Sequence, residues 1–280
     1  MRATGATGGG YILSKGTTTK ATLHPGSEGL VSTIVNGDPR YRARTTRRAV
    51  SLLVEASRPK FGMLVLNKKV ETPIGSGFGA SAASAVSAVY AAAAVLGIRK
   101  PKHQLALYAH RAEVLEQTGL GTVSVVYDAV GAGAITKPGD PGHAKFVSVK
   151  VPPGTRIVTA CIAPYDKKDA LSSKGLSQEI NRFGQDALRR FQANQNLGSL
   201  GEEGERFSSN LGLESFQVKR LRKIAKSSGA IHASQNMIGY AIHAIADSEH
   251  WNPVAKALAA SGLANRVDVF RVGSVKAGTE

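Results

Sequence analysis

The sequence predicts an α+β protein made of two parts. Short runs with β-like patterning recur in the first 70 residues and again on both sides of residue 150, and they favour strands. Between and after these runs lie longer segments with helical periodicity, the clearest of which is rich in alanine. The Val-Pro-Pro-Gly turn at 151–154 is the best candidate boundary, so we expect an N-terminal domain at 1–150 and a C-terminal domain at 151–280.

The N-terminal part should begin with strands and continue with helices. Two returning strands should follow the helices, separated by a turn rich in proline and glycine at 138–142. Pro101 marks the start of one helix, because its fixed φ suits the first helical turn. The expected strands are 10–14, 17–24, 30–35, 61–70, 131–136 and 146–149, and the expected helices are 43–56, 82–96, 103–117 and 122–128.

The C-terminal part should begin and end with strands and hold helices between them. Its middle carries apolar residues at helical spacing, and no internal repeat is visible in the chain. The expected strands are 156–162 and 266–272, and the expected helices are 177–192, 216–227 and 232–246.

The most informative segment connects the 61–70 strand to the alanine-rich helix. Residues 73–83 read Pro-Ile-Gly-Ser-Gly-Phe-Gly-Ala-Ser-Ala-Ala. Glycines allow close backbone approach, and a helix start offers unpaired N–H groups and the positive end of a dipole. The pattern therefore predicts a phosphate site, although the same spacing also occurs in ordinary loops. Ser81 could cap the helix or bind a magnesium ion.

Two other loop types and a membrane span fit this segment poorly. The loop lacks the Gly-Lys-Ser or Gly-Lys-Thr of a Walker loop, and its spacing is not that of the dinucleotide fingerprint. No charged residue lies between Glu71 and Arg99, but the many glycine, alanine and serine residues make the stretch too weakly hydrophobic for a bilayer. We therefore expect a buried helix.

The helix expected at 103–117 carries a carboxylate that points inward. On a helical wheel, Glu113 falls between the directions of Ala106 and Ala109. Small alanines leave it room to reach a magnesium ion, which prefers oxygen ligands. Glu116 is an alternative on the same sector, and an ion pair with Arg111 would be a purely structural role for the carboxylate. The expected buried face consists of Leu105, Tyr108, Ala109, Ala112 and Leu115.

The loop resembles the ATP-binding motif of the superfamily of galactokinase, homoserine kinase, mevalonate kinase and phosphomevalonate kinase, abbreviated GHMP. That motif has the general form Pro-x3-Gly-Leu-Gly-Ser-Ser-Ala, and Phe78 and Ala80 replace residues that are common there. Segments 5–20, 109–121 and 232–243 extend the resemblance over nearly the whole chain, and together they look most like the archaeal pantoate kinases.

The resemblance implies a fold and a reaction. The fold would be GHMP-kinase-like, with a ribosomal-S5-like ATP-binding part and a C-terminal α/β sandwich. ATP would lie over the loop, Ser81 and Glu113 would hold Mg²⁺, and the primary hydroxyl of (R)-pantoate would attack the γ-phosphate in coenzyme A synthesis. Such enzymes are cytoplasmic and are commonly dimers. The expected nucleotide-binding residues are Pro73, Gly75, Ser76, Gly77, Phe78, Gly79, Ala80, Ser81, Ala82 and Ala83.

The chain departs from the family pattern at one catalytic position. Many members place an aspartate after the Thr-Gly-Leu-Gly segment, where this chain has Thr122. Asp128 lies six residues further on and points in another direction on the same helix, so it does not replace that aspartate. Some members are thought to work without a side-chain base. The expected catalytic residues are Ser81, Glu113 and Thr122.

The second departure is at the start of the chain. Family members carry a first strand and a Pro-x-His substrate loop before the segment that matches residues 5–20, and both are absent here. Either the start codon was assigned too late, which is the interpretation that we favour, or this protein has lost a sheet strand and part of its acceptor pocket. Because part of the acceptor pocket would lie there, the sequence leaves the acceptor open between pantoate and another acid or alcohol such as shikimate or a mevalonate-like compound. Lys15, Lys20 and Arg42 are candidates for binding a substrate carboxylate.

Composition fits a cytosolic enzyme but leaves one further class open. Cys161 is the only cysteine among 280 residues, which favours a reducing compartment. The chain has 36 lysine and arginine residues against 20 acidic ones, a formal charge of +16. The basic groups at 40–48 and 219–226 are not interleaved with aromatic residues, so we expect solvated faces that steer anionic substrates. Nucleic-acid binding and a non-catalytic nucleotide-binding relative stay as alternatives, whereas the histidines lack zinc-site spacing.

Overall fold

The computed structural model describes residues 4–164, 174–237 and 239–279, and these form helices packed on three β-sheets. The strands are β1 (Gly8–Tyr11), β2 (Thr17–His24), β3 (Leu30–Val35), β4 (Met63–Val70), β5 (Ala132–Lys137), β6 (Lys145–Val149), β7 (Arg156–Ala163), β8 (His232–Gln235), β9 (Tyr240–Ala246) and β10 (Arg266–Arg271). The helices are α1 (Arg44–Ser57), α2 (Ala80–Val95), α3 (Lys102–Leu115), α4 (Thr122–Asp128), α5 (Lys174–Ala193), α6 (Leu197–Leu211), α7 (Phe216–Ser227) and α8 (Trp251–Ala260).

Strands β1 to β6, from the N-terminal half of the chain, form two sheets, and strands β7 to β10 form a third. One sheet has the order β2-β4-β3, with β2 antiparallel and β3 parallel to β4. A second has the antiparallel order β1-β5-β6. The third, from the C-terminal half, has the antiparallel order β10-β7-β9-β8.

Helix α2 is the centre of the N-terminal core. It packs against β2, α1 and α3, and most of its residues are buried. Its small alanine side chains let neighbouring elements approach closely. A helix that is apolar on all sides is expected to be buried, and the burial of α2 confirms the buried helix predicted from the sequence. No helix in the described part of the chain is long and apolar enough to cross a membrane. The buried residues at the centre of this core include Ala85, Val86, Ala88, Val89, Ala92, Leu53, Leu64 and Leu66.

The C-terminal sheet is covered by α7 and α8. Apolar residues of β7 and β9 pack under Leu221 of α7 and Leu258 of α8. Helices α5 and α6 instead pack against the β1-β5-β6 sheet, where Phe191 and Leu200 contact alanines of β5. Leu13 also pairs with Val272, so contacts cross the boundary expected at 151–154. The division into residues 1–150 and 151–280 stays a prediction.

Several sequence predictions of secondary structure were wrong. The expected helix at 232–246 is a hairpin of β8 and β9, whose turn includes Met237 at a positive φ of 52°. Both strands are buried almost throughout, so the apolar and polar alternation of a surface strand is absent. Helices α6 and α8 were not predicted, and the first strand is Gly8–Tyr11 instead of the expected 10–14.

Candidate active site

The glycine-rich loop joins the end of β4 to the start of α2. Gly75, Gly77 and Gly79 all have positive φ angles, of 79°, 86° and 70°. Gly79 is the residue before α2, and no described side chain caps the helix there. The first N–H groups of α2 therefore face the loop without a side-chain acceptor, which is the arrangement that binds phosphate oxygens.

The back of the loop is held by the C-terminal sheet. A side chain at Gly77 would place its Cβ 2.8 Å from the carbonyl oxygen of Asn236, in the turn between β8 and β9. The Ser76 side chain is fully buried, accepts a hydrogen bond from Cys161 Sγ at 3.0 Å and donates one to the Ala163 carbonyl at 3.5 Å. Ser76 is a predicted nucleotide ligand, but its hydroxyl faces β7, so only its main chain can serve the loop.

Ser81 belongs to a chain of hydroxyl groups at the start of α2. Its Oγ donates to Thr45 Oγ1 at 2.9 Å, and Thr45 Oγ1 lies 3.0 Å from Thr118 Oγ1. Thr45 is buried in the first turn of α1. Thr45 and Thr118 were not predicted from the sequence, because no local pattern indicates that α1 and the 117–121 segment meet at Ser81.

Glu113 points into the protein, as its place on the helical wheel predicts. The residue is only 1% exposed, and its Oε2 accepts a hydrogen bond from the N–H of Val123, at the start of α4, at 3.4 Å. Gly119 packs directly on this carboxylate, and any larger side chain there would collide with Oε1. The helical wheel wrongly placed Leu115 on the buried face of α3. Leu115 is 48% exposed, because α3 ends at that residue.

Thr122 lies at the N-terminal end of α2, as Ser81 does. A Cβ at Gly79 would be 2.9 Å from Thr122 Cγ2, so the threonine packs against the last glycine of the loop. Asp128, at the other end of α4, is 63% exposed and pairs with Lys276 at 2.6 Å. The structure thus places Ser81 and Thr122 at the start of α2 and Glu113 beside the start of α4, and it leaves Asp128 on the surface. The catalytic roles of Ser81, Glu113 and Thr122 stay predictions.

The three basic residues considered for a substrate carboxylate lie apart from one another. Lys15 lines a cleft of about 320 Å³ between the ends of β4 and β10. Lys20 is exposed on β2, and Arg42 is exposed in the segment before α1. Of the three, Arg42 is nearest in sequence to Thr45.

The oxygen atoms at this end of α2 suit Mg²⁺. The described residues contain no group of three or more His, Cys, Asp or Glu side chains that could hold a metal ion. Mg²⁺ does not need one, because it keeps several waters and binds through one or two protein oxygens together with substrate phosphates. The Glu113 carboxylate and the Ser81 hydroxyl are such hard oxygen donors, and they fit the ion that the resemblance implies.

A buried lysine lies beneath α2. Lys68 of β4 is 1% exposed, and its Nζ donates to the Ser84 carbonyl at 2.5 Å and to Thr19 Oγ1 at 3.2 Å. Burial lowers the pKa of this amine to about 7. The described ion pairs give Lys68 no carboxylate partner, so the charged form is held by hydroxyl and carbonyl oxygens.

Replacing Lys68 with Met should stabilise the fold at neutral and acidic pH. The folded-state pKa of about 7 lies below the ordinary lysine pKa of 10.5, so between these two pH values the folded chain binds fewer protons than the unfolded chain. The cost of the buried charge is fully present below pH 7 and disappears as the pH rises toward the unfolded-state pKa. We expect Lys68→Met to raise the free energy of unfolding by roughly 2 to 4 kcal/mol near pH 6 and by much less near pH 9.

Urea unfolding from pH 6 to 9 would test this expectation. Exposed Lys69 on the same strand provides the control, and Lys69→Met should follow the wild-type pH dependence. Equal pH slopes for wild type and Lys68→Met would contradict the assigned cost of the buried amine.

Part of the chain matches a known protein family. Residues 44–128 match the model of the GHMP kinases N terminal domain. The chain is 28% identical over 186 residues to a pantoate kinase of Methanospirillum hungatei JF-1, a match that covers 64% of this chain and 60% of that relative. The matched part is thus less than two thirds of the relative's length.

Two solved structures share the fold. A phosphotransferase related to the CoA biosynthesis pathway superposes with a TM-score of 0.85 at 23% identity, covering 97% of this chain and 88% of the other. A mevalonate kinase of L. major, solved with R-mevalonate, gives a TM-score of 0.70 at 16% identity over 98% and 91% of the two chains. The chain therefore carries a GHMP kinases N terminal domain at residues 44–128 and has the fold of the GHMP kinases over nearly its whole length.

Proposed function

We propose that this protein transfers the γ-phosphate of ATP to the primary hydroxyl of (R)-pantoate, giving (R)-4-phosphopantoate. The observation that carries the proposal is the meeting of three features: an uncapped start of α2 behind three glycines, the buried Glu113 carboxylate, and the hydroxyl of Ser81. The choice of pantoate rests on the matches at residues 109–121 and 232–243 and on the similarity to a pantoate kinase.

In the proposed reaction, the loop and the first turn of α2 bind the phosphates of ATP through main-chain N–H groups. The acceptor oxygen forms a bond to the γ-phosphorus while the bond to the β–γ bridging oxygen breaks, so ADP leaves. Ser81 and Glu113 would hold Mg²⁺, which neutralises charge on the phosphates when bound. The Thr45 hydroxyl accepts from Ser81 and thereby fixes its rotamer.

Thr122 cannot act as a general base, because a threonine hydroxyl is far too weakly basic. The acceptor proton would instead pass to solvent or to the transferred phosphoryl group late in the step. Phosphoryl transfer tolerates this, since positioning and charge stabilisation provide most of its catalysis. The same threonine is also the observation that favours the second candidate, a relative that binds nucleotide without turnover.

The positive charge of the chain suits small anionic substrates. Exposed arginines surround the first turn of α1, where Thr45 contacts Ser81. A positive potential there would attract ATP and a carboxylate acceptor and raise their association rates. This cluster consists of Arg40, Arg42, Arg44, Arg47 and Arg48.

The proposal is tested by ADP release from purified protein with ATP and Mg²⁺ across a panel of pantoate, pantothenate, shikimate, homoserine and mevalonate. We expect ADP release that depends on pantoate and is much weaker with the other compounds. Release with a different acceptor would keep the kinase and reject pantoate. Nucleotide binding without acceptor-dependent ADP would favour the non-catalytic relative, and absence of nucleotide binding would reject both candidates.

A further inference from the structure

The turn between β8 and β9 contacts the glycine-rich loop through one residue, Asn236. This loop is called the nucleotide loop below. Asn236 is buried, and its main-chain oxygen and Cβ fill the space at Gly77. Its Nδ2 donates to the carbonyl of Ser76 at 3.4 Å. The turn is itself fixed, because Asn236 N–H donates to Ala241 and Asn236 O accepts from Gly239, both at 2.9 Å.

The orientation of the Asn236 side chain depends on a histidine in β9. His243 Nδ1 lies 2.7 Å from Asn236 Oδ1. A carboxamide oxygen can only accept, so Nδ1 must carry the proton and donate it. If the carboxamide were flipped, its oxygen would face the Ser76 carbonyl and its NH₂ would face the histidine N–H. The Ser76 carbonyl, which can only accept, requires the NH₂ group on its side, and the His243 donor satisfies the oxygen on the other side, so both contacts hold the same orientation of Asn236.

The surroundings of His243 keep this donor in place. The imidazole packs against the ring of Tyr11, with the ring centroids 5.5 Å apart. Burial, and to a smaller extent the charge of Arg222, lower the pKa of His243 to about 4, while Glu205 acts in the opposite direction. The ring is therefore neutral at neutral pH, with its single proton on the nitrogen that faces Asn236.

A second contact anchors Ser76 to the same sheet. Its hydroxyl lies between Cys161 and the Ala163 carbonyl, both on β7, which is the strand that pairs with β9. Ser76 is thus held through its side chain by β7 and through its carbonyl by Asn236. A displacement of either contact moves the residue between Gly75 and Gly77, whose backbone shapes the phosphate site.

We propose that His243 is a positioning residue for the nucleotide loop: its Nδ1–H orients the Asn236 carboxamide, which holds the Ser76 main chain and so sets the geometry of residues 75–79. This inference rests on the proposed function only in that the loop must bind ATP. It needs neither a particular acceptor nor turnover, so its test can be separated from that of the kinase reaction.

The test is the dissociation constant of ATP with Mg²⁺ for matched variants. His243→Leu removes the donor, whereas His243→Asn offers an amide N–H close to the position of Nδ1. We expect His243→Leu to weaken ATP binding about 5- to 10-fold, the effect of one hydrogen bond, and His243→Asn to recover most of it. Asn236→Ala should match His243→Leu, and the double variant should be no weaker than either single variant.

Two controls separate positioning from a general loss of packing. Exposed His250, which pairs with Asp247 at 2.8 Å in the same half of the chain, should tolerate His250→Leu with unchanged ATP affinity. Where acceptor-dependent turnover is measurable, the KM for ATP should rise in His243→Leu while the KM for the acceptor stays within about 2-fold, since the broken bond lies behind the nucleotide loop. Thermal unfolding would show that each variant is folded.

Unchanged ATP affinity in folded His243→Leu would overturn the inference, as would equal losses in His243→Leu and His243→Asn or additive losses in the double variant. If wild type binds ATP but turns over no acceptor, the proposed kinase reaction fails while the inference is still decided by the affinities. If wild type does not bind ATP at all, both are rejected.

Discussion

Replacing Glu113 with Gln should lower acceptor-dependent turnover by about 100-fold or more while leaving the protein folded. The carboxylate is buried beside the start of α4, and a glutamine oxygen can still accept the hydrogen bond from the Val123 N–H. What the variant loses is the negative charge and the hard oxygen ligand proposed to hold Mg²⁺. The measurement is kcat and KM at increasing Mg²⁺, with an increased Mg²⁺ requirement as the specific sign of the lost ligand.

Glu116 is the matched control for this prediction. It lies at the end of the same helix, is only partly buried, and was the alternative carboxylate on the wheel. Glu116→Gln should keep near-normal turnover. If Glu116→Gln loses the activity and Glu113→Gln keeps it, the metal ligand has been assigned to the wrong glutamate.

Ser81→Ala should resemble Glu113→Gln with a smaller loss of turnover, because water can replace a hydroxyl ligand.

Replacing Gly77 with Ala should abolish tight ATP binding and also destabilise the fold. The residue has a φ of 86°, and the new Cβ would be 2.8 Å from the Asn236 carbonyl oxygen and 2.9 Å from the Asn236 Cβ. Neither atom is the end of a flexible side chain, so the loop itself must move. We expect a loss of about 1 to 3 kcal/mol in the free energy of unfolding and about 100-fold in turnover, because a displacement of the order of 1 Å disrupts phosphate alignment.

Gly97 provides a control that distinguishes the effect of backbone strain from the effect of displacing the glycine-rich loop. It follows α2 with a φ of 67°, and no described atom lies within 4 Å of where its Cβ would be. Gly97→Ala should therefore cost about 1 kcal/mol of stability and leave ATP affinity unchanged. Both variants would be compared by urea unfolding and by the dissociation constant of ATP. Equal ATP affinities for wild type and Gly77→Ala would show that residues 75–79 do not form the phosphate site.

The structural features that were predicted correctly depend on short-range order. The glycines at 75, 77 and 79 are followed at once by a helix, so neighbouring residues alone produce the turn and the uncapped helix start. Glu113 points inward because the period of α3 fixes its direction relative to Ala109 and Ala112. The same reasoning failed at Leu115, since periodicity does not show where the buried part of a helix ends.

The contacts that hold the site together join residues far apart in the chain. Ser81 meets Thr45 across 36 positions, and Asn236 meets Ser76 across 160. The hairpin of β8 and β9 was taken for a helix because its strands are buried on both faces, so its local pattern carried no period of two. Such pairings depend on packing over the whole chain, so a short window of sequence does not indicate them.

The sequence by itself thus determined the resemblance to the GHMP kinases, the glycine-rich turn before α2 and the inward direction of the Glu113 carboxylate, since each depends on adjacent residues or on one helical period. Only the tertiary structure decided that Thr45 fixes Ser81, that the Ser76 hydroxyl faces β7, and that His243 lies behind Asn236. The physical reason is that main-chain geometry and helical period are local, whereas a buried polar group finds its partner wherever the folded chain brings one within hydrogen-bonding distance.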